Sequence, residues 1–377
     1  MTNPTHPFAP RPVVPAAATP TTPSANNIGP SPVTKPLSAN SPFAPRPVTT
    51  PARPGVSLTQ AIQQRAAAPS SPSAAHATTP STSAATSSRP SLSQAQFDYF
   101  AKLVYELSGM RFDTNKSYFL ASKIEVRVQA LGLANFDAYI AHLGSLQGRT
   151  EYGHLVDEVS INETFFFRHE PQLQAFRDGM LIPHAQARRT QGQKTLRIWS
   201  AASSSGDELY TLALMIRDAG LWGKDLMWEL IGTDISHEAL AKARAGVYRK
   251  YNVRNIPPAL LQAHFAHDPS GPTGETWQIS TDIRSSCKFN EGNLMDTARC
   301  AALGKFDFIF CRNVLIYFDE PSKEKAVQHL ANALTDDGYV LLGHSENIYS
   351  QRHILRPVKE YAAAIAYQKA PPGTPKL

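Results

Sequence analysis

Hydrophobic positions recur at helical spacing in the stretch that begins near residue 93. Phe97, Phe100 and Val104 lie three or four residues apart, as the buried face of an α-helix requires. Ser93 is a residue type that caps a first helical turn, and Gly109 is a type that ends a helix. The pattern therefore predicts a capped amphipathic helix between these two residues.

Three more helices are predicted after the first one. Apolar residues with helical spacing occupy residues 115–130, 136–143 and 151–159. The predicted buried stripe of the longest helix consists of Leu120, Ile124, Val128 and Leu131. Together the four helices predict a small all-helical domain over residues 93–160.

The pattern changes to strand-length apolar runs from residue 195 onward. The predicted strands are residues 196–202, 228–234, 287–294, 306–313 and 339–346, and the helices between them are residues 207–219, 236–245 and 321–334. Apolar strands that alternate with helices are typical of a parallel sheet covered on both faces. We therefore predict an α/β domain over residues 161–372, which ends in an antiparallel hairpin over residues 356–369.

One connection in this domain is much longer than the others. Residues 246–286 separate the second predicted helix from the third strand and contain a helical stretch, a Pro/Gly turn and the short apolar run WQIS. A crossover of this length normally contains an inserted subdomain or a functional lid.

The first 92 residues differ in composition from the rest. They are rich in Pro, Ala, Ser and Thr, and we predict that they are disordered because they contain too few apolar residues to form a core. The sequence PFAPRPV occurs twice, at residues 7–13 and 42–48. The repeat is either drift within a biased linker or a docking motif for a partner domain.

The positive net charge belongs to this tail. No Asp or Glu precedes Asp98, whereas six of the 37 Lys and Arg residues do, so the remainder has 31 basic and 31 acidic residues. A neutral folded part argues against nucleic acid as a partner.

Cysteine usage and hydropathy predict a cytoplasmic protein. Cys287, Cys300 and Cys311 fit no zinc spacing, and a small odd number of cysteines is typical of reduced thiols. No apolar run has the length of a membrane span, and the first residues lack the apolar core of a signal peptide. We therefore predict no metal site and no direct insertion into a membrane.

Polar residues follow the carboxyl ends of four predicted strands. They are the loop over residues 200–210, Asp234, Asn293 with Leu294, and Arg312 with Asn313. In an open parallel sheet, ligands bind at this edge, near the switch in strand order. These residues therefore predict a pocket for a nucleotide-like ligand.

Asp234 and the first loop indicate which ligand this is. A carboxylate at the end of the second strand can accept ribose hydroxyl hydrogens, which serves NAD and S-adenosylmethionine equally. Asp207 and Glu208 would repel a pyrophosphate at the helix N-terminus, but they suit a sulfonium and an amino group. Alternatively, they only stabilise the start of the helix. The loop thus favours methyl transfer over hydride transfer.

Two further groups of polar residues stand out. The junction segment, residues 160–170 (SINETFFFRHE), places Asn162, Thr164 and Arg168 beside three aromatic residues. It is either a hinge that presents polar groups to a cleft or a hydrophobic linker with solvated polar residues.

The second group is basic. Lys116, Lys123 and Arg127 are spaced by seven and four, which puts them on one side of the second helix. They form either a solvated face or a docking strip for an acidic helical partner.

Taken together, these motifs resemble the CheR family of chemotaxis protein-glutamate methyltransferases. The resemblance runs from about Ser93 to Lys369 and includes NETFFFR, WSAASSSGDELY, TDIS, GNL and CRNVLIYF in register. It implies a Rossmann-like class I methyltransferase sheet with a helical N-terminal domain and an inserted β-subdomain. It also implies S-adenosyl-L-methionine as cofactor, S-adenosyl-L-homocysteine as product, and the cytoplasmic helical region of chemoreceptors as partner.

The resemblance also implies roles for individual residues. The implied cofactor contacts are Asn162, Thr164, Arg168, Glu208, Asp234, Asn293, Leu294, Arg312 and Asn313. Arg168 and Tyr317 match positions beside the transferring methyl group, and we interpret both as catalytic. Lys116, Lys123 and Arg127 match the receptor-docking helix, although the family usually has more arginines there. In some members the β-subdomain tethers a peptide at the receptor C-terminus.

The chemistry is consistent with this interpretation. A glutamate side chain, with an ordinary pKa of about 4.3, is ionised at neutral pH and can accept a methyl group without a general base. We expect a monomeric enzyme that modifies glutamates. Two alternatives remain open: a methyltransferase with a small-molecule or nucleic-acid acceptor, and a non-catalytic signalling protein that binds the cofactor.

Overall fold

The computed structural model describes residues 91–223, 225–271 and 274–376 of the chain. The predicted disordered tail, apart from its last two residues, and both copies of PFAPRPV lie outside the described residues. Within the described ranges, no helix is both long and apolar enough to cross a membrane.

Four helices form the helical domain: α1 (Gln94–Ser108), α2 (Ser117–Ala130), α3 (Phe136–Leu143) and α4 (Glu151–Val159). Ser93 caps α1 as predicted, because its Oγ accepts a hydrogen bond from Gln96 N at 3.3 Å while Gln96 Oε1 accepts one from Ser93 N at 3.0 Å. Gly109 ends α1 with a left-handed φ of 77°. The side chains buried in the shared core include Phe100, Val104, Ile124, Tyr139 and Leu155.

Helix α2 differs from its prediction at both ends. Thr114–Lys116 form a separate 3-10 turn, so the α-helix begins at Ser117. Most of the predicted stripe is buried, but Leu131 is 37% exposed because it lies beyond the last helical residue, Ala130.

Ten strands are present in the described ranges. In chain order they are β1 (Thr195–Ala201), β2 (Met227–Asp234), β3 (Val247–Arg249), β4 (Phe265–Asp268), β5 (Thr276–Ile279), β6 (Cys287–Glu291), β7 (Phe306–Cys311), β8 (Leu334–Leu342), β9 (Leu355–Pro357) and β10 (Ala366–Lys369). Seven of them form one sheet in the order β6-β2-β1-β7-β8-β10-β9. Strand β1 pairs in parallel with β2 and β7, whereas β10 pairs antiparallel with β8 and β9. The predicted α/β fold is confirmed, and the closing hairpin adds two antiparallel strands.

The remaining helices are α5 (Glu170–Phe176), α6 (Ile182–Thr190), α7 (Asp207–Asp218), α8 (His237–Ala245), α9 (Lys250–Val253), α10 (Pro258–His264), α11 (Thr281–Ser286), α12 (Thr297–Ala302) and α13 (Glu320–Ala333). The sequence did not predict α5 or α6, which are joined by a π-helical stretch, Arg177–Leu181. Pro171, Gly179 and Pro183 interrupt the helical pattern of residues 170–190 and obscure its period.

Side chains of the large sheet alternate between two hydrophobic cores. Ile198 and Phe308 belong to one core, whereas their neighbours Trp199 and Ile309 belong to the other. Both faces of the parallel strands are therefore buried, which explains why their sequences are apolar throughout.

The long connection forms a small antiparallel sheet with strand order β3-β5-β4. This β-subdomain packs against the junction segment, because Phe166 and Tyr248 make an edge-to-face contact with ring centroids 4.8 Å apart. The Tyr248 hydroxyl also donates a hydrogen bond to Ser205 O at 2.8 Å. The insert thus supports two segments that surround the functional site.

Candidate functional site

A cavity opens at the carboxyl ends of β1, β2 and β7. We call it the strand-end cavity. Its lining residues come from the junction segment, the loop after β1, the first turns of α7, the end of β2 and the segment after β7, together with Met110 of the helical domain and Leu173 of α5. The predicted residues among them are Asn162, Thr164, Arg168, Glu208, Asp234, Arg312, Asn313 and Tyr317.

Several non-glycine residues around the strand-end cavity have left-handed backbone conformations. In its wall, φ is 68° at Ala202, 48° at Ser204 and 62° at Asn313. Phe167 and His169, on either side of Arg168, have φ values of 54° and 66°. Each such residue costs roughly 1 kcal/mol or more, and such conformations cluster at ligand sites.

The loop after β1 approaches the cavity because of Gly206. Its φ is 86°, and a Cβ atom there would lie 2.9 Å from Phe289 Cζ and 3.0 Å from Ala243 Cβ. A larger residue would therefore displace the loop. Glycine allows the backbone of residues 202–204 to form part of the cavity wall.

Asp234 ends β2 and is only 5% exposed. Its Oδ2 accepts a hydrogen bond from Ser204 N at 2.7 Å, and its Oδ1 accepts one from Ser236 N at 2.9 Å. These bonds use about half of the acceptor sites of a carboxylate, so others remain for hydroxyl groups in the cavity. Burial raises the pKa of Asp234, while the N–H groups of Ser236 and Ser204 oppose that rise.

The two acidic residues at the start of α7 have different surroundings. Glu208 lines the strand-end cavity, where its Oε2 accepts a hydrogen bond from Arg312 Nη1 at 3.1 Å. Asp207 is buried away from the cavity lining, and its Oδ1 accepts a hydrogen bond from Asn252 Nδ2 of the β-subdomain at 2.9 Å. Burial raises the pKa of Glu208, and the Arg312 guanidinium opposes that rise. The geometry thus favours Glu208 over Asp207 as a cofactor contact.

The junction segment buries its aromatic rings and presents polar groups to the cavity. Phe166 and Phe167 are buried, whereas Asn162, Thr164 and Arg168 line the strand-end cavity. Arg168 Nη1 donates a hydrogen bond to the main-chain oxygen of residue 163 at 2.8 Å, and its guanidinium lies over a neighbouring aromatic ring. This arrangement favours the cleft-facing interpretation of the segment over a plain hydrophobic linker.

Tyr317 lies in a 3-10 turn, Leu315–Tyr317, just after β7. Its main-chain oxygen accepts a hydrogen bond from Arg111 N at 2.9 Å, which ties the turn to the helical domain. Burial raises the pKa of Tyr317, although the nearby Arg168 opposes that rise. The phenol is therefore protonated at neutral pH and able to donate a hydrogen bond.

Two family models match the chain. The CheR methyltransferase all-alpha domain matches residues 95–160, and the CheR methyltransferase SAM-binding domain matches residues 162–363. The chain is 33% identical to the chemotaxis protein methyltransferase of Salmonella typhimurium over 69% of its length and 86% of the relative. It is 33% identical to that of Escherichia coli over 73% and 92% of the two chains, and 30% identical to chemotaxis protein methyltransferase 2 of Vibrio cholerae over 75% and 95%.

This chain belongs to the CheR methyltransferase family. The predicted cofactor, S-adenosylmethionine, and the predicted class of enzyme, a methyltransferase that depends on it, are thereby confirmed. The strand-end cavity of this CheR chain fits the cofactor, because Asp234 offers acceptors for ribose hydroxyls and Glu208 offers an anion for a cationic group. None of the described residues that line it is a lysine, the point charge that commonly binds phosphate.

The structure does not place Asn293 and Leu294 in the strand-end cavity. They line a separate, smaller cavity. Asn293 Nδ2 donates a hydrogen bond to Leu107 O at 2.7 Å, and its Oδ1 accepts one from Met295 N at 2.8 Å. Both polar atoms of this side chain are engaged, so Asn293 joins the end of α1 to the sheet domain. Contact of these two residues with adenine stays a prediction from the family.

The three basic residues of the predicted docking strip do not form one free surface in this CheR chain. Lys123 Nζ lies 3.1 Å from Glu158 Oε1, and Arg127 is held by Glu151. Lys116 is exposed but belongs to the 3-10 turn before α2. Of the three predicted residues, Lys123 and Arg127 lie on α2, whereas Lys116 precedes it, and the partners supplied by α4 engage both cations of the helix.

One residue that sequence reasoning missed is Glu346. The fifth strand was predicted to continue to this residue, whereas β8 ends at Leu342 and Glu346 folds back beneath the segment after β7. No local pattern distinguishes it, since three of its four hydrogen-bond donors lie more than 30 residues earlier in the chain. Among the residues that the structure describes, no group of three or more His, Cys, Asp or Glu side chains could hold a metal ion.

Proposed function

We propose that this chain transfers a methyl group from S-adenosyl-L-methionine to glutamate carboxylates of chemoreceptors, and thereby forms glutamate methyl esters and S-adenosyl-L-homocysteine. The observation that carries this proposal is the lining of the strand-end cavity, which includes no His, Lys or Cys side chain among the described residues. Its carboxylates, on Glu163, Glu208 and Asp234, each already accept hydrogen bonds from the protein.

This lining is poorly suited to acceptors that must first lose a proton. An amine or hydroxyl acceptor would require a general base within hydrogen-bond reach. An ionised carboxylate requires none, because its oxygen is already a nucleophile at neutral pH. A glutamate acceptor therefore fits the cavity better than a nucleic acid or a small alcohol.

The cofactor, when bound, supplies an electrophilic methyl group on a positively charged sulfur. The residues of the chain would hold it and align it with the acceptor, which is the main source of rate acceleration in such a reaction. Asp234 would accept hydrogen bonds from ribose hydroxyls, and Glu208 is the anion placed for the amino group. Asn162, Thr164 and Asn313 would supply polar contacts in the wall.

Arg168 and Tyr317 are proposed to handle the acceptor. The Arg168 guanidinium would hold the acceptor carboxylate by charge-assisted hydrogen bonds. The phenol of Tyr317, whose pKa is raised by burial, would donate a hydrogen bond that orients the carboxylate. Neither residue needs to transfer a proton in this role.

We propose that the acceptor enters through a second cavity, which adjoins the first. Met110, Ile161 and Tyr317 line both this cavity and the strand-end cavity. We call the second one the acceptor cleft; its other lining residues are Arg111, Phe112, Lys116, Phe119 and Val159. Its lining is largely apolar, and both cations are exposed, which suits a helix with apolar residues and acidic side chains.

The remaining parts of the proposal concern the protein partner, the oligomeric state and the cellular compartment. The partner would be the cytoplasmic helical region of chemoreceptors, bound by a monomer in the cytoplasm through the acceptor cleft rather than through Lys123 and Arg127. Nucleic acid is not expected as a partner. The repeated PFAPRPV sequence would serve a separate docking partner.

The test is to incubate the full chain with methyl-labelled cofactor and cytoplasmic fragments of methyl-accepting chemoreceptors. The expected result is base-labile label on receptor glutamates, located by mass spectrometry. D234N is the matched variant, since it removes an acceptor for the cofactor ribose and leaves the acceptor cleft unchanged. Base-stable label, or cofactor binding without any transfer to receptor, would contradict the proposal.

A further inference from the structure

A single buried carboxylate anchors the segment that follows β7. Glu346 is 7% exposed. Its Oε1 accepts hydrogen bonds from Val314 N at 2.9 Å and Leu315 N at 2.8 Å, and its Oε2 accepts them from Asn313 N and Gly343 N, both at 2.7 Å. An ionised carboxylate is an acceptor at both oxygens, so it matches four converging N–H groups.

Three of the four donors are N–H groups that lie just before or at the start of a helical turn. N–H groups at the start of a helical turn are left unbonded by the turn itself, and residues 313–315 lead into the Leu315–Tyr317 turn. Asn313 also has a left-handed φ of 62°, a conformation that few residues other than glycine and asparagine adopt. The carboxylate of Glu346 therefore stabilises a conformation that the segment would not adopt alone.

The anchored segment forms one wall of the strand-end cavity. Arg312, Asn313, Val314 and Tyr317 line that cavity, whereas Glu346 does not. The fit beneath the segment is tight, because a Cβ atom at Gly343 would lie 2.6 Å from Glu346 Oε2. Glu346 thus lies directly behind the wall and accepts hydrogen bonds from its backbone N–H groups.

We infer that Glu346 is a positioning residue for methyl transfer. Its carboxylate fixes the backbone of residues 313–315, so that Asn313 and Tyr317 present their side chains to the strand-end cavity in one arrangement. This inference rests on the proposed function, since Tyr317 is assigned there to the acceptor. Glu346 touches neither ligand and acts only through the segment after β7.

The isosteric variant E346Q keeps the volume of the side chain but removes its charge, so it tests the hydrogen bonds of the carboxylate and not its packing. Each oxygen of Glu346 accepts two N–H groups, so an amide NH₂ would face two donors in either orientation of the glutamine. The variant therefore loses two hydrogen bonds without changing size. E346D keeps the charge but shortens the side chain, and it serves as the conservative variant.

Asp307 provides a matched control for loss of a buried carboxylate. It lies at the opposite end of β7, where it accepts hydrogen bonds from Arg188 Nη2 at 2.7 Å and Arg197 N at 2.8 Å. It does not line the strand-end cavity. D307N should lower the melting temperature but leave binding and turnover unchanged well below that temperature.

The experiment measures S-adenosylhomocysteine binding by calorimetry and methyl transfer to receptor fragments, on folded full-length chains. E346Q should raise the dissociation constant about tenfold, equivalent to about 1.4 kcal/mol. It should lower kcat about 100-fold, because a small misplacement of reacting groups has an effect of that order. E346D should recover part of both losses.

The inference is overturned if E346Q and D307N, measured at equal fractions of folded protein, have the same dissociation constant for S-adenosylhomocysteine and the same kcat. Where E346Q does not fold, E346D takes its place, and wild-type values for E346D overturn the inference. Failure of the proposed function has a different signature. The wild-type chain would then transfer no methyl group to receptors, while calorimetry would still report whether Glu346 controls the cofactor wall.

Discussion

Arg127 donates two hydrogen bonds to Glu151, from Nε to Oε1 at 2.7 Å and from Nη2 to Oε2 at 3.0 Å. The Glu151 side chain is 4% exposed and that of Arg127 is 17% exposed. The Tyr139 hydroxyl donates a third hydrogen bond to the same carboxylate at 2.9 Å. This network joins α2, α3 and α4, so Arg127 is part of the internal structure of the helical domain.

Replacement of Arg127 by alanine should therefore destabilise the helical domain. Removal of one partner of a buried pair leaves the other charge uncompensated, which costs roughly 3 kcal/mol. Urea unfolding of R127A followed by circular dichroism would measure this loss. K116A is the control, because Lys116 is exposed and has no comparable partner in the described residues; a loss of equal size in both variants would contradict the structural role.

The same pair predicts a pH dependence of stability. Burial raises the pKa of Glu151, but the hydrogen bonds from Arg127 and Tyr139 outweigh burial and hold that pKa below its ordinary value. A lowered carboxyl pKa stabilises the fold above the ordinary pKa, and that contribution is lost as pH falls through the folded value. The difference in unfolding free energy between wild type and R127A should therefore shrink between pH 7 and about pH 3.5. A difference independent of pH would contradict this assignment.

The period of the apolar residues predicted α2 but not its partners. Spacing shows which residues share a helical face, whereas the identity of the group opposite depends on how α2 packs against α4. The cations Lys123 and Arg127 meet Glu158 and Glu151 only because that packing brings α4 beside them. A basic stripe in sequence was therefore compatible with both an internal network and a docking surface.

The strand-end rule predicted most of the candidate site for a physical reason. Parallel strands end at one edge of the sheet, so Asp234 and Arg312 had to come close to the start of α7, which carries Glu208. Asn293 followed the same rule but lies outside the strand-end cavity, because β6 ends at Glu291 and the chain then turns toward α1. Interactions between distant parts of the chain, such as that of Glu346 with residues 313–315, leave no periodic pattern in the sequence.

Glu208 should contribute more to cofactor binding than Asp207. In E208Q the anion facing the cavity is lost, and the buried Arg312 loses its charged partner. We expect the dissociation constant for S-adenosylmethionine to rise about 30-fold, equivalent to about 2 kcal/mol. Calorimetry would measure it, with D207N as the control because Asp207 is bonded to Asn252 outside the cavity lining. A larger effect in D207N would reverse the assignment.

Asp234 should act through the ribose hydroxyls. D234N should weaken binding of S-adenosylhomocysteine about tenfold or more, since an amide cannot accept hydrogen bonds at both of its heavy atoms. A cofactor analogue that lacks both ribose hydroxyls separates the loss of hydrogen bonds to ribose from a displacement of the loop after β1. Wild type should bind the analogue weakly, and D234N should bind it no more weakly than wild type does. If D234N bound the analogue more weakly than wild type does, Asp234 would act mainly by holding the backbone of Ser204.

The acceptor cleft should attract acidic receptor helices through Lys116, whose exposed side chain lies on its rim. K116E reverses that charge without disturbing a buried group. We expect KM for receptor fragments to rise about tenfold, equivalent to about 1.4 kcal/mol, with kcat and cofactor affinity unchanged. The increase in KM should diminish at high ionic strength, because exposed charges are screened by salt.

K102E is the matched control, since Lys102 is an exposed lysine of α1 outside the acceptor cleft. Equal values of KM in the two variants would show that receptors dock elsewhere.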